Sequence, residues 1–187
     1  MTSMKYTNPD IESSYAEHDL GRTLYDLVLQ YKPKKIVEWG VLYGYSTVAM
    51  AMALDELGEG HITGYDLFEH YAFKHSTMEQ TQANIDRYGV SNYVTLVRGD
   101  FESWLKNPEP FDMLHVDISN KGDTIERLHE AVKDQLARGA LVVFEGGSPE
   151  RDRVAWMEKY QQKKIGDSGV HYEILNPAFP SLSRMLP

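Results

Sequence analysis

Five apolar runs in the 187-residue chain end on acids: Glu38 in "KIVEWG", Asp66 in "HITGYDL", Asp100 in "YVTLVRGD", Asp117 in "FDMLHVD" and Glu145 in "ALVVFEGG". Carboxylates accept hydrogen bonds from hydroxyls and amines, attract cations and repel phosphates. Gly40 and Gly44, four apart in "EWGVLYGYS", stand where an apolar run gives way to a helical pattern. Glycines there let a backbone come close to a small molecule, though a tight turn alone asks for the same residues. Ser46 follows at the start of the helical pattern, where backbone N–H groups favour an anion. Neither G-x-G-x-x-G nor G-x-x-x-x-G-K-[ST] occurs. A dinucleotide dehydrogenase and a P-loop enzyme are therefore not expected. The guest that suits these acids is a nucleoside without phosphates that carries hydroxyls, an amine and a cationic centre. S-adenosylmethionine is such a molecule.

The elements that must position these residues follow from periodicity and punctuation. Residues 11–31 read as one helix with Leu20, Leu24, Leu27 and Val28 in an apolar stripe, stopped by Pro33. "KIVEW" reads as a buried strand, and residues 46–57 as a helix closed by Gly58. "HITGYDL" is a second strand. Ser76-Thr77-Met78-Glu79 fits a capping box with Ser76 as the cap, opening a helix that runs to Tyr88. "YVTLVRGD", "FDMLHVD" and "ALVVFEGG" are three further strands, with a helix over 123–136 between the last two. Ser148-Pro149-Glu150 has the chemistry of a helix start. The tail "GVHYEILNPAFPSLSRMLP" reads as two strands around a proline-containing turn.

Alternation of strands and helices predicts an α/β fold: a doubly wound, seven-stranded, mostly parallel sheet with an antiparallel last strand. Ligands in such sheets bind beyond the carboxyl ends of the strands, where the five acids fall. Length predicts one domain over 1–187, with 1–33 an N-terminal helical segment and 34–187 the α/β core. There is no cysteine, which excludes a disulfide framework, a thiolate zinc site and a cysteine nucleophile. The formal charge of −9 argues against a nucleic-acid partner. No apolar stretch is long enough for a membrane span, and the first residues lack a signal-peptide core, so the expectation is cytoplasmic. The first helix and the tail are the surfaces through which a homo-oligomer would pack.

The segment "VEWGVLYGYSTVAMA" resembles the first motif of S-adenosylmethionine-dependent methyltransferases with the Rossmann-like fold. It is most similar to the small O-methyltransferases of the catechol type, whose glycine loop also tends to read G-x-x-x-G-Y-S. The resemblance runs from about Lys34 to Gly147. It implies that Glu38 orients the methionine amino group of the cofactor, directly or through water. It implies that Gly40 and Gly44 let the backbone approach the cofactor, that Tyr45 lies with them, and that Ser46 meets the cofactor carboxylate. Asp66 would take both ribose hydroxyls, Asp100 the adenine amine, and Phe101 would lie beside the ring. Asp117 would lie near the methyl group and the acceptor as the candidate base, with Glu145 and His115 after it. The insertion "YDLFEHYAFKH" would cover the cofactor or the acceptor.

The sequence departs from the resemblance where those enzymes hold a divalent cation. They use an aspartate after the fourth strand and an Asp-Asn pair after the fifth; here the residues are Asp117 and Glu145-Gly146, and Asn120 stands about where they have a lysine. Mg²⁺ is doubtful on that count, and no metal ligand is assigned. Asn120, Lys121, Glu145, Arg151 and Asp152 are expected to cluster at the acceptor, with Arg151 or Arg153 pairing an acidic group of it. The activity implied is O-methylation of a small polar molecule, yielding S-adenosylhomocysteine. The alternatives are a non-catalytic S-adenosylmethionine-binding domain or partner subunit, and aminopropyl transfer.

Overall fold

β1 (Lys35–Trp39), β2 (His61–Asp66) and β3 (Val94–Arg98) pair in parallel, with Glu38 opposite Gly64 and Trp39 opposite Tyr65. The computed structural model describes residues 6–119 and 121–187. These divide into two compact units, Met1–Asp100 and Phe101–Pro187. In the first unit α1 (Leu20–Tyr31) packs on α2 (Tyr45–Leu57), and α3 (Met78–Arg87) precedes β3. Every residue of α2 from Tyr45 to Leu54 is buried. A helix apolar on all sides belongs inside a domain, and "STVAMAMAL" has no polar face to show to water.

The second unit begins with a short helix not foreseen in the sequence, α4 (Phe101–Trp104). It continues with β4 (Met113–Val116), α5 (Gly122–Ala137), β5 (Leu141–Glu145), α6 (Ala155–Lys159), β6 (Tyr172–Asn176) and β7 (Leu182–Met185). β4 and β5 are parallel and buried along their whole length, while β7 runs antiparallel to β5 and β6. The sheet has seven strands in the order β3-β2-β1-β4-β5-β7-β6. This is the mostly parallel, Rossmann-like arrangement that the alternation of elements predicts. None of the helices among the described residues is long and apolar enough to cross a membrane.

Three local expectations are corrected. The first helix starts at Leu20, because Asp19 adopts left-handed geometry (φ 50°) and accepts a hydrogen bond from the Tyr6 hydroxyl; among the described residues before it there is a single 3-10 turn, Ala16–His18. The capping box is shifted by one residue. Thr77 Oγ1 accepts from the Gln80 N–H at 3.1 Å, and Gln80 Oε1 accepts from the Thr77 N–H at 2.9 Å. Ser148 does cap, accepting from the Arg151 N–H at 3.2 Å, yet only a 3-10 turn (Arg151–Arg153) forms before Val154 turns extended. Arg151 and Asp152 there turn inward to tertiary partners, and those bonds override the local helix start.

Candidate functional site

In the first unit the site is built around the loop between β1 and α2. Gly40 (φ 89°), Leu42 (φ 48°) and Gly44 (φ 90°) all take left-handed geometry. For Leu42 that conformation costs about 1–3 kcal/mol, and it persists only where its surroundings hold it. Here they do. The Val41 and Leu42 N–H groups both donate to Asp66 Oδ2, each at 2.9 Å, and Asp66 Oδ1 accepts from the Phe68 N–H at 3.0 Å. Successive N–H groups beside a left-handed residue form a concavity for an anion, and Asp66 is that anion. The Leu42 carbonyl accepts from the Ser76 and Thr81 hydroxyls, both at 2.5 Å, and Asn84 Nδ2 donates to the Tyr43 carbonyl at 2.9 Å. A Cβ on Gly44 would stand 3.3 Å from Thr81 Cγ2. The loop is thus clamped between the end of β2 and the first turns of α3. Sequence reasoning missed Ser76, Thr81 and Asn84. The signal available was Thr81 and Asn84, two polar residues three apart beside Ile85, the buried side of α3.

Glu38 is fully buried and accepts from the Ser46 and Thr47 hydroxyls, both at 2.5 Å. A buried carboxylate needs such donors, and the positive end of α2 adds to them. The Ser46 hydroxyl is therefore directed at Glu38 and not outward to a carboxylate. What this helix start offers an anion is backbone: the first N–H groups of α2 have no acceptor within the helix, and Gly44 provides no side-chain cap. The Tyr45 side chain also turns away. Its hydroxyl donates to Asn8 Oδ1 at 2.6 Å, its ring meets Tyr15 edge-on, and burial pushes its phenol up to about 12. Asp100 is exposed at the end of β3. The Phe101 ring is buried and stacks on Trp104 with centroids 6.0 Å apart, a packing role. In the insertion after β2, Phe68 is fully buried, whereas Phe73 is 74% exposed and meets the Tyr71 ring edge-on.

In the second unit Asp117 follows β4 and is half-buried, and His115 is fully buried within that strand. Glu145, Arg151 and Asp152 come together as anticipated, but with different partners. Arg151 forks onto Glu145, Nε to Oε1 at 2.5 Å and Nη2 to Oε2 at 3.1 Å, with both side chains buried. Two of the three guanidinium nitrogens of Arg151 are thus committed within the protein. Asp152 accepts from the Ile165 and Gly166 N–H groups at 3.0 and 2.9 Å. Arg153 is exposed, Lys121 is half-buried at the start of α5, and Asn120 lies outside the described residues. These residues do not fit the divalent cation of the catechol-type enzymes. Gly146 has no side chain to offer, and both oxygens of Glu145 are engaged by a guanidinium. Among the described residues there is no group of three or more His, Asp or Glu able to hold a metal ion.

A family model described as a methyltransferase domain matches residues 37–145. The chain is similar to the O-methyltransferase TomG from Streptomyces achromogenes, involved in tomaymycin synthesis and solved in complex with SAM. Identity is 29% over 74% of this chain and 58% of that one, with a TM-score of 0.54, so the chain spans less than two thirds of TomG. It shares its fold with SAH-bound PaMTH1 of Podospora anserina: 19% identity, 94% of this chain and 79% of that one, TM-score 0.62. It shares it also with an O-methyltransferase from Bacillus cereus in complex with SAH: 18% identity, 96% and 84%, TM-score 0.61. No curated protein matches the chain.

Proposed function

The chain belongs to the methyltransferase domain family, and on that premise we propose that it transfers the methyl group of S-adenosylmethionine to an oxygen of a small polar acceptor. One observation carries the proposal. The loop 40–44 is held in three left-handed residues by Asp66 on one side and α3 on the other, and it leads into a helix start with uncommitted N–H groups. A backbone fixed in that way is a cradle for a ligand that carries a carboxylate. Bound there, S-adenosylmethionine supplies a methyl group on a positively charged sulfur, already activated towards an oxygen.

The chain's own residues then divide the work. Gly40 and Gly44 keep side chains out of the cradle, and the first turn of α2 meets the carboxylate through the Tyr45 and Ser46 backbone. Glu38 fixes that turn through Ser46 and Thr47. A carboxylate has about four lone-pair positions. Asp66 uses three on the loop and keeps the fourth for a ribose hydroxyl. Asp100, exposed beyond β3, is assigned to the adenine amine, and Phe101 to a place beside the ring. Alignment of the two reactants provides much of the rate, and Asp117 is assigned to take the acceptor's proton where the acceptor holds one at neutral pH. Both units serve as one catalytic domain, in the cytoplasm; a net charge of −9 favours a free small molecule over nucleic acid.

The test is thermal unfolding with and without S-adenosylhomocysteine, followed by a screen for its release from S-adenosylmethionine. Ligand at about a hundred times its dissociation constant adds roughly 2.7 kcal/mol. A shift of several degrees together with acceptor-dependent release supports the reading. No shift at millimolar ligand removes it, and a shift without release for any acceptor leaves a binding module.

A further inference from the structure

Arg151 is more than nine-tenths buried, and its Nη1 has no hydrogen-bond partner among the described residues. A buried guanidinium nitrogen without an acceptor is costly, and native folds rarely keep one without a use. The rest of the group is firmly set. Nε and Nη2 are forked onto Glu145, the last residue of β5. Gly146 follows at φ 104°, and a Cβ there would stand 3.4 Å from Arg151 Cγ and 2.8 Å from Ile165 Cδ1. The Trp156 ring lies over the guanidinium, 5.5 Å from centroid to Cζ, and is itself 37% exposed.

We propose that Arg151 is the resident cation at the carboxyl end of β5, in the place of a divalent metal, and that its Nη1 binds a carboxylate oxygen of the acceptor. Glu145 is its positioning residue. This deepens the methyltransferase reading and rests on it for the methyl donor; the binding of a carboxylate at Nη1 does not. Three physical points support it. Glu145 occupies one edge of the guanidinium, so the positive pole of the pair lies on the opposite edge, at Nη1. The neighbouring carboxylate of Asp152 is already met by two backbone N–H groups, which blunts its repulsion of a second anion. A carboxylate is ionised at neutral pH, so it needs neither a metal nor a strong base to become a nucleophile. The methyl ester forms as the carboxylate oxygen attacks the methyl carbon and the carbon–sulfur bond electrons return to sulfur.

The experiment uses the full chain after EDTA treatment, with and without S-adenosylhomocysteine. Binding of Mn²⁺ is read by electron paramagnetic resonance, and binding of benzoate and of neutral benzamide by tryptophan fluorescence and thermal shift. The proposal expects no stoichiometric Mn²⁺ and a benzoate response exceeding that of benzamide. It expects benzoate to weaken by about tenfold or more in Arg151→Lys and in the charge-free pair Glu145→Gln/Arg151→Met. The double variant avoids stranding a buried carboxylate, and circular dichroism checks its fold. Stoichiometric Mn²⁺ in the native chain overturns the proposal whatever the variants do. So does benzamide binding as well as benzoate, no benzoate response, or a benzoate response unchanged in both variants. Absence of an S-adenosylhomocysteine shift in the same samples refutes the methyltransferase reading instead, so the two failures are distinct.

Discussion

Replacing Asp66 with alanine separates two roles that one residue carries. Were Asp66 a ligand contact alone, its removal would leave the stability of the cofactor-free protein unchanged or raise it, because groups held ready for a ligand are often a burden without one. As the anchor of the loop, its loss strands the N–H groups of Val41, Leu42 and Phe68, now bonded at 2.9, 2.9 and 3.0 Å. Hydrogen bonds to a charged group contribute about 1.5–3 kcal/mol each. The three share one carboxylate, so they do not add in full, and Asp66 is half-buried, so water replaces part of the loss. Leu42 also loses one of the contacts that hold its left-handed backbone. The net expectation is about 2–4 kcal/mol, a fall in melting temperature of roughly 4–16 °C for a chain of this size. Asp66→Asn keeps one acceptor oxygen and loses the charge, and should fall between. Urea unfolding without ligand reads the anchor; titration with S-adenosylhomocysteine then reads the ribose contact. Ligand-free Asp66→Ala with the native urea midpoint would refute the account of the loop.

The same clamp is tested from its other side by Thr81→Val, which keeps shape and removes a hydroxyl from the Leu42 carbonyl. About 1–2 kcal/mol of stability and several-fold in S-adenosylhomocysteine affinity should go, with Thr81→Ser restoring both; unchanged calorimetry would count against it. Gly122→Ala should destabilise by about 1–2 kcal/mol in urea, although alanine normally favours a helix over glycine by about 1 kcal/mol. The new Cβ would stand 2.3 Å from the Lys164 carbonyl oxygen, and a neutral result would show that segment able to retreat. Alkaline pH should unfold the first unit. Burial, aided by the Glu56 bond, pushes Tyr25 up to about 12, burial does the same to Tyr45, and burial with the Asp19 bond raises Tyr6 further still. The unfolded phenols ionise near pH 10, so between about pH 10 and 12 the unfolded state holds fewer protons and stability falls as pH rises. Urea midpoints flat from pH 8 to 11 would contradict this.

The strands were legible because their burial leaves a direct mark. β4 and β5 are apolar runs interrupted only by His115 and Glu145, and the turn signals around them are unambiguous. Gly40 and Gly44 announced the loop for the same reason: both adopt geometry that side-chain-bearing residues avoid. What escaped the sequence was the choice of partner among several chemically equal ones. Ser76 and Thr77 are both good caps, and only the fold decides that Thr77 caps α3 while Ser76 turns to the Leu42 carbonyl. The forked edge of Arg151 could have met a ligand or a neighbour on its own helix face. Its position six residues after Glu145, with Ser148 capping the turn between, folds it back on the strand end. Residues 11–19 show the same limit, since the periodicity of α1 extends into a segment where Asp19 turns left-handed and accepts from the Tyr6 hydroxyl.

The acids at the strand ends gain a different meaning from these contacts. Read as a row, they form an open negative rim that repels phosphate. In the structure, Glu38 is met by two hydroxyls, Asp66 by three backbone N–H groups and Glu145 by a guanidinium. A carboxylate already saturated by donors exerts little net repulsion, so the case against a phosphate-rich cofactor rests on the glycine spacing more than on charge. The same saturation explains why acids stand there at all. A fixed anion holds backbone donors in geometries that the chain alone would abandon, as Leu42 demonstrates, and orders a loop before any ligand arrives. The strand-end carboxylates are anchors first; whatever contact they make with a ligand uses the capacity that anchoring leaves.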